Sequence, residues 1–204
     1  MGALIDWISQ PSTAGNLLIV AMPGVGDVGK LAIDAVNTEL DAEPIARILH
    51  PSLPPLAKLD DDGLLAPPHI LLSRVNLEGK EVYTLTGDAQ PMTPEGQHEL
   101  AVVVLDLFQG GEVLVLAGMS AEAERKEVFT ITSSSSYRIE LEAMGVDIRR
   151  DEPKSGVIGM AALITAMGPI KNVKTSCTIA TTVGNSADPV ASQLLLETIR
   201  KWWS

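Results

Sequence analysis

Residues Leu17 to Leu40 constrain this chain most, because an apolar strand, a glycine-rich turn and an amphipathic helix follow one another without a spacer. Leu17 to Ala21 is a run of mostly branched aliphatics, the pattern of a strand covered on both faces inside a parallel sheet. Pro23, Gly24, Gly26 and Gly29 then let the backbone bend sharply and approach a neighbour closely, since glycine carries no Cβ. Beyond the bend, Val28, Leu31, Ala32, Ala35, Val36 and Leu40 recur at helical spacing, with Asp34, Asn37 and Glu39 mostly on the opposite face.

The turn satisfies two phosphate-binding templates at once. Gly24, Gly26 and Gly29 have the spacing of the dinucleotide fingerprint, and Gly24, Gly29 and Lys30 have most of a Walker A loop. Neither template is completed. Leu31 stands where Walker A places the magnesium-binding Ser or Thr, and the next strand, ending at His50, offers no acid for a ribose. What survives is a helix N-terminus opened by glycines, where free backbone N–H groups and the positive dipole end suit an anion. The competing reading is that the glycines only permit tight strand-to-helix packing, and both stay open on spacing alone. Gly24, Gly26, Gly29 and Lys30 are candidate ligand residues. So are Asp88 and Gln90, in the strand-end loop Gly87 to Pro91.

Further along, Ile45 to Leu49 reads as a strand, and Ile70 to Leu77 with Glu81 to Thr86 reads as an antiparallel hairpin around Glu78 to Lys80. Thr93 caps a helix with Pro94 at its first position, running to Gln109. Strands follow at Glu112 to Ala117, Val128 to Thr132 and Val173 to Thr181. Helices follow at Tyr137 to Met144, at Gly156 to Met167, and from the cap Asp188-Pro189 to the C-terminus. The Gly156 to Met167 segment is apolar almost all round and requires cover on most sides. This alternation indicates a three-layer α/β/α fold with a mostly parallel, mixed sheet. Its 204 residues are read as one domain, with an N-terminal arm over 1–15 and a C-terminal helix and tail over 188–204.

A net charge of −11 argues against nucleic acid, whose binding relies on clustered Lys and Arg. No apolar run reaches the roughly 18 residues of a membrane span, and no basic segment leads into an apolar one at the N-terminus. A soluble protein of the cytoplasm is expected. Cys177, the single cysteine, reads as a small buried residue. Asp60 to Asp62 reads as a solvated turn rather than a cation site.

Enzyme signatures are incomplete. Gly118-Met119-Ser120 imitates a nucleophile elbow, but Glu122 replaces the second glycine, and His50, His69 and His98 all precede the serine. His98-Glu99 begins a zinc motif that Val102 ends. Neither a catalytic residue, a metal nor a cofactor is assigned. An enzyme or sensor for a phosphate-bearing or nucleoside-like small molecule at the glycine loop stands as the alternative.

Met22 to Ala32, Gly87 to Pro91 and Ser155 to Ala161, in this order, resemble the signature of the proteasome-assembly-chaperone family in its archaeal branch. The likeness spans nearly the whole chain. It implies a sheet of the nucleoside-phosphorylase type, assembly into homo-oligomers, and a non-catalytic chaperone role with proteasome α-subunits as partners. In that family a C-terminal tail of hydrophobic residue, tyrosine and any residue enters pockets between α-ring subunits, and its carboxylate pairs with a lysine there. Trp202, Trp203 and Ser204 resemble this tail, with tryptophan in the tyrosine position. Two of only seven aromatic residues thus stand beside the terminus, where tryptophan serves as an interface anchor. Alternatively Trp202 extends the apolar stripe of Ala191, Leu194, Leu195, Thr198 and Ile199 and packs on the core.

Overall fold

Both faces of Leu17–Val20 are apolar, and the chain covers both. A computed structural model describes residues 2–60 and 62–202. The strands are β1 (Leu4–Trp7), β2 (Leu17–Val20), β3 (Glu43–Leu49), β4 (Lys58–Leu59), β5 (Leu65–Ala66), β6 (Ile70–Leu77), β7 (Lys80–Gly87), β8 (Glu112–Ser120), β9 (Val128–Thr132) and β10 (Lys174–Thr182). The α-helices are α1 (Val28–Glu39), α2 (Pro94–Leu107), α3 (Ser135–Ala143), α4 (Gly159–Met167) and α5 (Pro189–Arg200).

Eight strands form one sheet in the order β1, β3, β6, β7, β2, β8, β10, β9. Its centre is parallel, with β2 between β7 and β8 and β10 beyond β8. The flanks are antiparallel, β6, β3 and β1 on one side and β9 on the other. Successive strand residues point to opposite faces, so the sheet separates two apolar layers. Leu18, Val20, Val113 and Val115 pack with Leu100, Val104 and Phe108 on the α2 side and with Met160 and Ile164 of α4. Ile19, Leu114 and Leu116 pack with Ala32, Ile33 and Val36 of α1 and with Leu195 and Ile199 of α5. Removing each such aliphatic side chain from water contributes about 1.5–3 kcal/mol, which is why the unbroken apolar runs lie at the centre. The result is the expected α/β/α arrangement around a mixed sheet.

Local signals hold at the caps and the hairpin. Thr93 Oγ1 accepts from the Gly96 N–H at 3.1 Å, and Asp188 Oδ1 accepts from the Ala191 N–H at 2.9 Å. The β6–β7 hairpin turns at Glu78 and Gly79, both at positive φ (51° and 84°), the backbone a two-residue turn between twisted strands requires.

Several boundaries differ from the sequence expectation. Part of the arm is a strand: β1 pairs antiparallel with β3 at the sheet edge. β8 runs on to Ser120, because Ala117 to Ser120 keep parallel register with Ile179 to Thr182 of β10. Ser120 is therefore a strand residue rather than an elbow, and its Oγ donates to the Val183 carbonyl at 3.2 Å. α4 starts at Gly159 rather than at Gly156, whose φ of 78° lies outside the helical region. α4 is also less covered than its composition suggests. Ala161, Ala162 and Leu163 are half-buried, and Ile158 and Ile170 at its two ends are 87% and 80% exposed.

Cys177 is buried in the α2/α4 layer, and burial pushes its thiol up to about 12, so it behaves as an apolar group. In the acidic turn, Asp60 Oδ1 accepts from the N–H groups of Asp62 and Leu64, while Asp61 lies outside the described residues.

Candidate functional site

The ends of β2, β8 and β10, the glycine turn, the loop from Pro153 to Gly159 and the start of α4 enclose a cleft of about 740 Å³ at the carboxyl edge of the sheet. Open α/β sheets place ligands at this edge. Bare backbone forms one wall. A Cβ on Gly29 would stand 2.2 Å from the Leu116 carbonyl oxygen, and a Cβ on Gly118 would stand 2.2 Å from that of Val25. The turn Val25–Asp27 and the first turn of α1 thus lie directly on β8, which accounts for glycine at both positions without a phosphate.

Side chains pin the remaining walls. Gln90 Nε2 donates to the Pro23 carbonyl at 2.8 Å, and Gln90 Oε1 accepts from the Met160 N–H at 3.1 Å. One amide therefore joins the glycine turn to the start of α4. The Asp188 N–H donates to the Gly26 carbonyl at 2.8 Å, tying the cap of α5 to the same turn. The Ala191 N–H, then the Thr182 hydroxyl donating at 2.8 Å, hold the Asp188 carboxyl below the usual carboxylate range. The outer loop is braced behind by Arg125, which pairs with Glu127 at 2.8 Å and also with Glu152.

Of the ligand candidates, Gly24, Gly29 and Gln90 line the cleft, whereas Gly26, Lys30 and Asp88 do not. Lys30 Nζ turns along its own helix to Asp34 at 2.5 Å. Asp88 pairs with Lys58 at 2.8 Å, in the small β4–β5 hairpin, and that ammonium holds its carboxyl below the ordinary value. The charges expected beside the glycine turn are engaged elsewhere.

His50 is likewise engaged by its neighbours. His50 Nδ1 accepts from the Ser52 N–H at 3.1 Å and lies 2.6 Å from Ser52 Oγ, while its Nε2 lies 2.8 Å from Glu99 Oε2. This Ser-His-Glu set resembles a triad in composition. However, a Cβ on Gly96 would stand only 1.9 Å from Ser52 Oγ, so the hydroxyl is packed against α2 and fastens the β3 loop to it. Among the described residues no cluster of three His, Cys, Asp or Glu could hold a metal ion, and no helix is long and apolar enough to cross a membrane.

At the opposite edge, α5 ends beside α3. Trp202 is half-buried there, packed against both the α1/α5 layer and the small cluster of Tyr137, Leu141 and Val146. Its packing follows the apolar stripe of α5. Trp203 and Ser204 lie outside the described residues.

Of the residues singled out in the sequence as ligand candidates, Gly24, Gly29 and Gln90 line the cleft, whereas Ser155 to Ala161 entered only through the family likeness and Met119 only through the elbow imitation. Only the tertiary fold brings these to the glycine turn.

Known proteins are similar to this chain in sequence or in fold. A protein of Methanocaldococcus jannaschii described as uncharacterized is 27% identical over 186 residues, covering 89% of this chain and 71% of its own. The structure of Pyrococcus furiosus PbaA, described as an archaeal homolog of proteasome-assembly chaperone, superposes with a TM-score of 0.79. It does so at 24% identity, covering 98% of this chain and 85% of that one. Pyrococcus furiosus PbaB, described as an archaeal proteasome activator, gives 0.83 at 20% identity, covering 99% and 89%. The PAC2 family model matches residues 18–203, nearly the whole of the sheet and its helices, and the chain belongs to the PAC2 family.

Proposed function

We propose that this protein is a non-catalytic proteasome assembly chaperone or activator that binds proteasome α-subunits through its surface and its C-terminal tail. The observation that carries the reading is membership of the PAC2 family over residues 18–203. Two relatives of the same fold are described by their proteasome roles. The packing of Trp202 supports a division of labour within the tail: Trp202 anchors the end of α5, and Trp203 with the Ser204 carboxylate makes the contact. The half-covered outer face of α4, with Ile170 exposed beyond its C-terminal end, supports a homo-oligomer.

Deleting residues 203–204 while keeping Trp202 tests this. Pull-down of α-rings by the truncated protein falls by about tenfold or more, the loss of roughly 1.4 kcal/mol or more of binding, with the melting temperature unchanged. Retained pull-down overturns the tail assignment. Mass measurement in solution reads the oligomer.

A further inference from the structure

The tail reading leaves the carboxyl-edge cleft without a use. Its walls have a distinct chemistry: among the described residues no charged side chain lines it, in a chain of net charge −11. Val20, Val28, Val115, Met119 and Ile179 are among its apolar lining residues. Two of the amides that could attract an anion are taken within the protein. The Gly24 N–H donates to Asp27 Oδ1 at 3.3 Å, and the Met160 N–H at the head of α4 donates to Gln90. A desolvated phosphate or carboxylate would meet neither a free cation nor these two donors, and burying an unpaired charge is costly.

The cleft is also preformed. Gln90, Asp188 and the Arg125–Glu152 pair fix its glycine turn, its helix head and its outer loop. At its mouth two aliphatic residues face solvent, Ile158 at 87% and Val25 at 40% exposure. Its volume of about 740 Å³ lies within the range of small-molecule sites, which are mostly apolar with a few fixed polar groups.

We propose that the cleft between the glycine turn, β8 and the Pro153–Gly159 loop binds an uncharged, largely apolar small molecule. Specificity by charge complementarity then runs opposite to what the glycine motif suggests: the site accepts neutral compounds and rejects nucleotides.

Fluorescence titration of the full chain with N-phenyl-1-naphthylamine, a neutral apolar probe, tests this. Saturable binding of one probe per chain is expected, with AMP and inorganic phosphate failing to displace it. Met119→Glu, which puts a carboxylate into the cleft, weakens the probe by about tenfold or more. Because that variant risks the fold, Ile158→Asp at the exposed rim serves beside it and weakens binding by about threefold to tenfold with the melting temperature kept. No saturable binding, displacement by AMP or phosphate, or unchanged affinity in the rim variant each overturns the proposal. So does probe binding that falls as protein concentration rises, which would mean that a second copy covers the cleft.

Discussion

The two edges of the sheet are built by different mixtures of the same means. At the carboxyl edge, backbone lies on backbone. Gly29 meets Leu116 and Gly118 meets Val25, uncharged side chains line the space between, and hydrogen bonds to main-chain groups hold the walls. At the amino edge Gly111 lies against the Asn16 backbone, and large side chains and ions do the rest of the joining. The Tyr137 hydroxyl donates to Glu112, Lys174 pairs with Glu140 at 2.5 Å, Arg200 pairs with Glu39, and Trp202 closes the gap between α3 and α5. The first edge tolerates almost no added volume. Away from Gly111, the second depends on polar partners, each replaceable at modest cost.

Substitutions can break that contrast, and the largest effect is expected where backbone meets backbone. Gly29→Val must move α1 off β8, because its Cβ would meet a carbonyl oxygen that cannot rotate away. A loss of about 3 kcal/mol or more in urea denaturation is expected, at or above the usual range for overpacking. A loss under about 1 kcal/mol would show the turn to be pliable, and the contrast would fail.

Asp188→Ala comes next. It removes the cap of α5 and the acceptor for Thr182, at an expected cost of about 1–2 kcal/mol. Its pH dependence has a definite sign. The folded carboxyl titrates below the unfolded value, so its contribution is complete above about pH 4 and fades as pH falls through the folded value. The variant's acid limb should be flatter than the parent's.

The smallest effect belongs to the amino edge. Tyr137→Phe should cost about 1 kcal/mol at neutral pH, the ordinary worth of one hydrogen bond. Burial first, then the nearby Glu112 carboxylate, push the Tyr137 phenol above its usual value. Its stabilising contribution is therefore present below about pH 10 and is lost as pH rises toward the folded value. Thermal melts between neutral and strongly alkaline pH should show a shallower decline in the variant. Some slope remains, because burial and Glu81 raise Tyr83 as well.

Much of this was legible because it is local. The strand before the glycine turn, the caps at Thr93 and Asp188 and the Glu78-Gly79 hairpin each state their geometry within a few residues. β1 was not legible as a strand. Its four residues form one only because β3 offers an edge, a fact stored some forty residues away. Gly118-Met119-Ser120 imitated a catalytic turn for a related reason: the glycine is needed for the approach of Val25, and nothing nearby in sequence says so. The candidate site was half readable. Gln90 and the glycines carry a recognisable pattern, but the uncharged character of the cleft emerges only once Lys30 and Asp88 are seen to pair with Asp34 and Lys58. Composition cannot tell which ions are already spoken for.

The Gln90 carboxamide sets the separation of two segments that are more than a hundred residues apart in sequence. Its oxygen and nitrogen hold fixed positions on one planar group, so the distance from Pro23 to Met160 is gauged by a single functional group. Glutamate has nearly the same shape, yet it would keep the contact with the Met160 N–H and set two oxygens against each other at Pro23. The side chain is thus a polarity-coded spacer: its width could be copied by another residue, but its orientation could not.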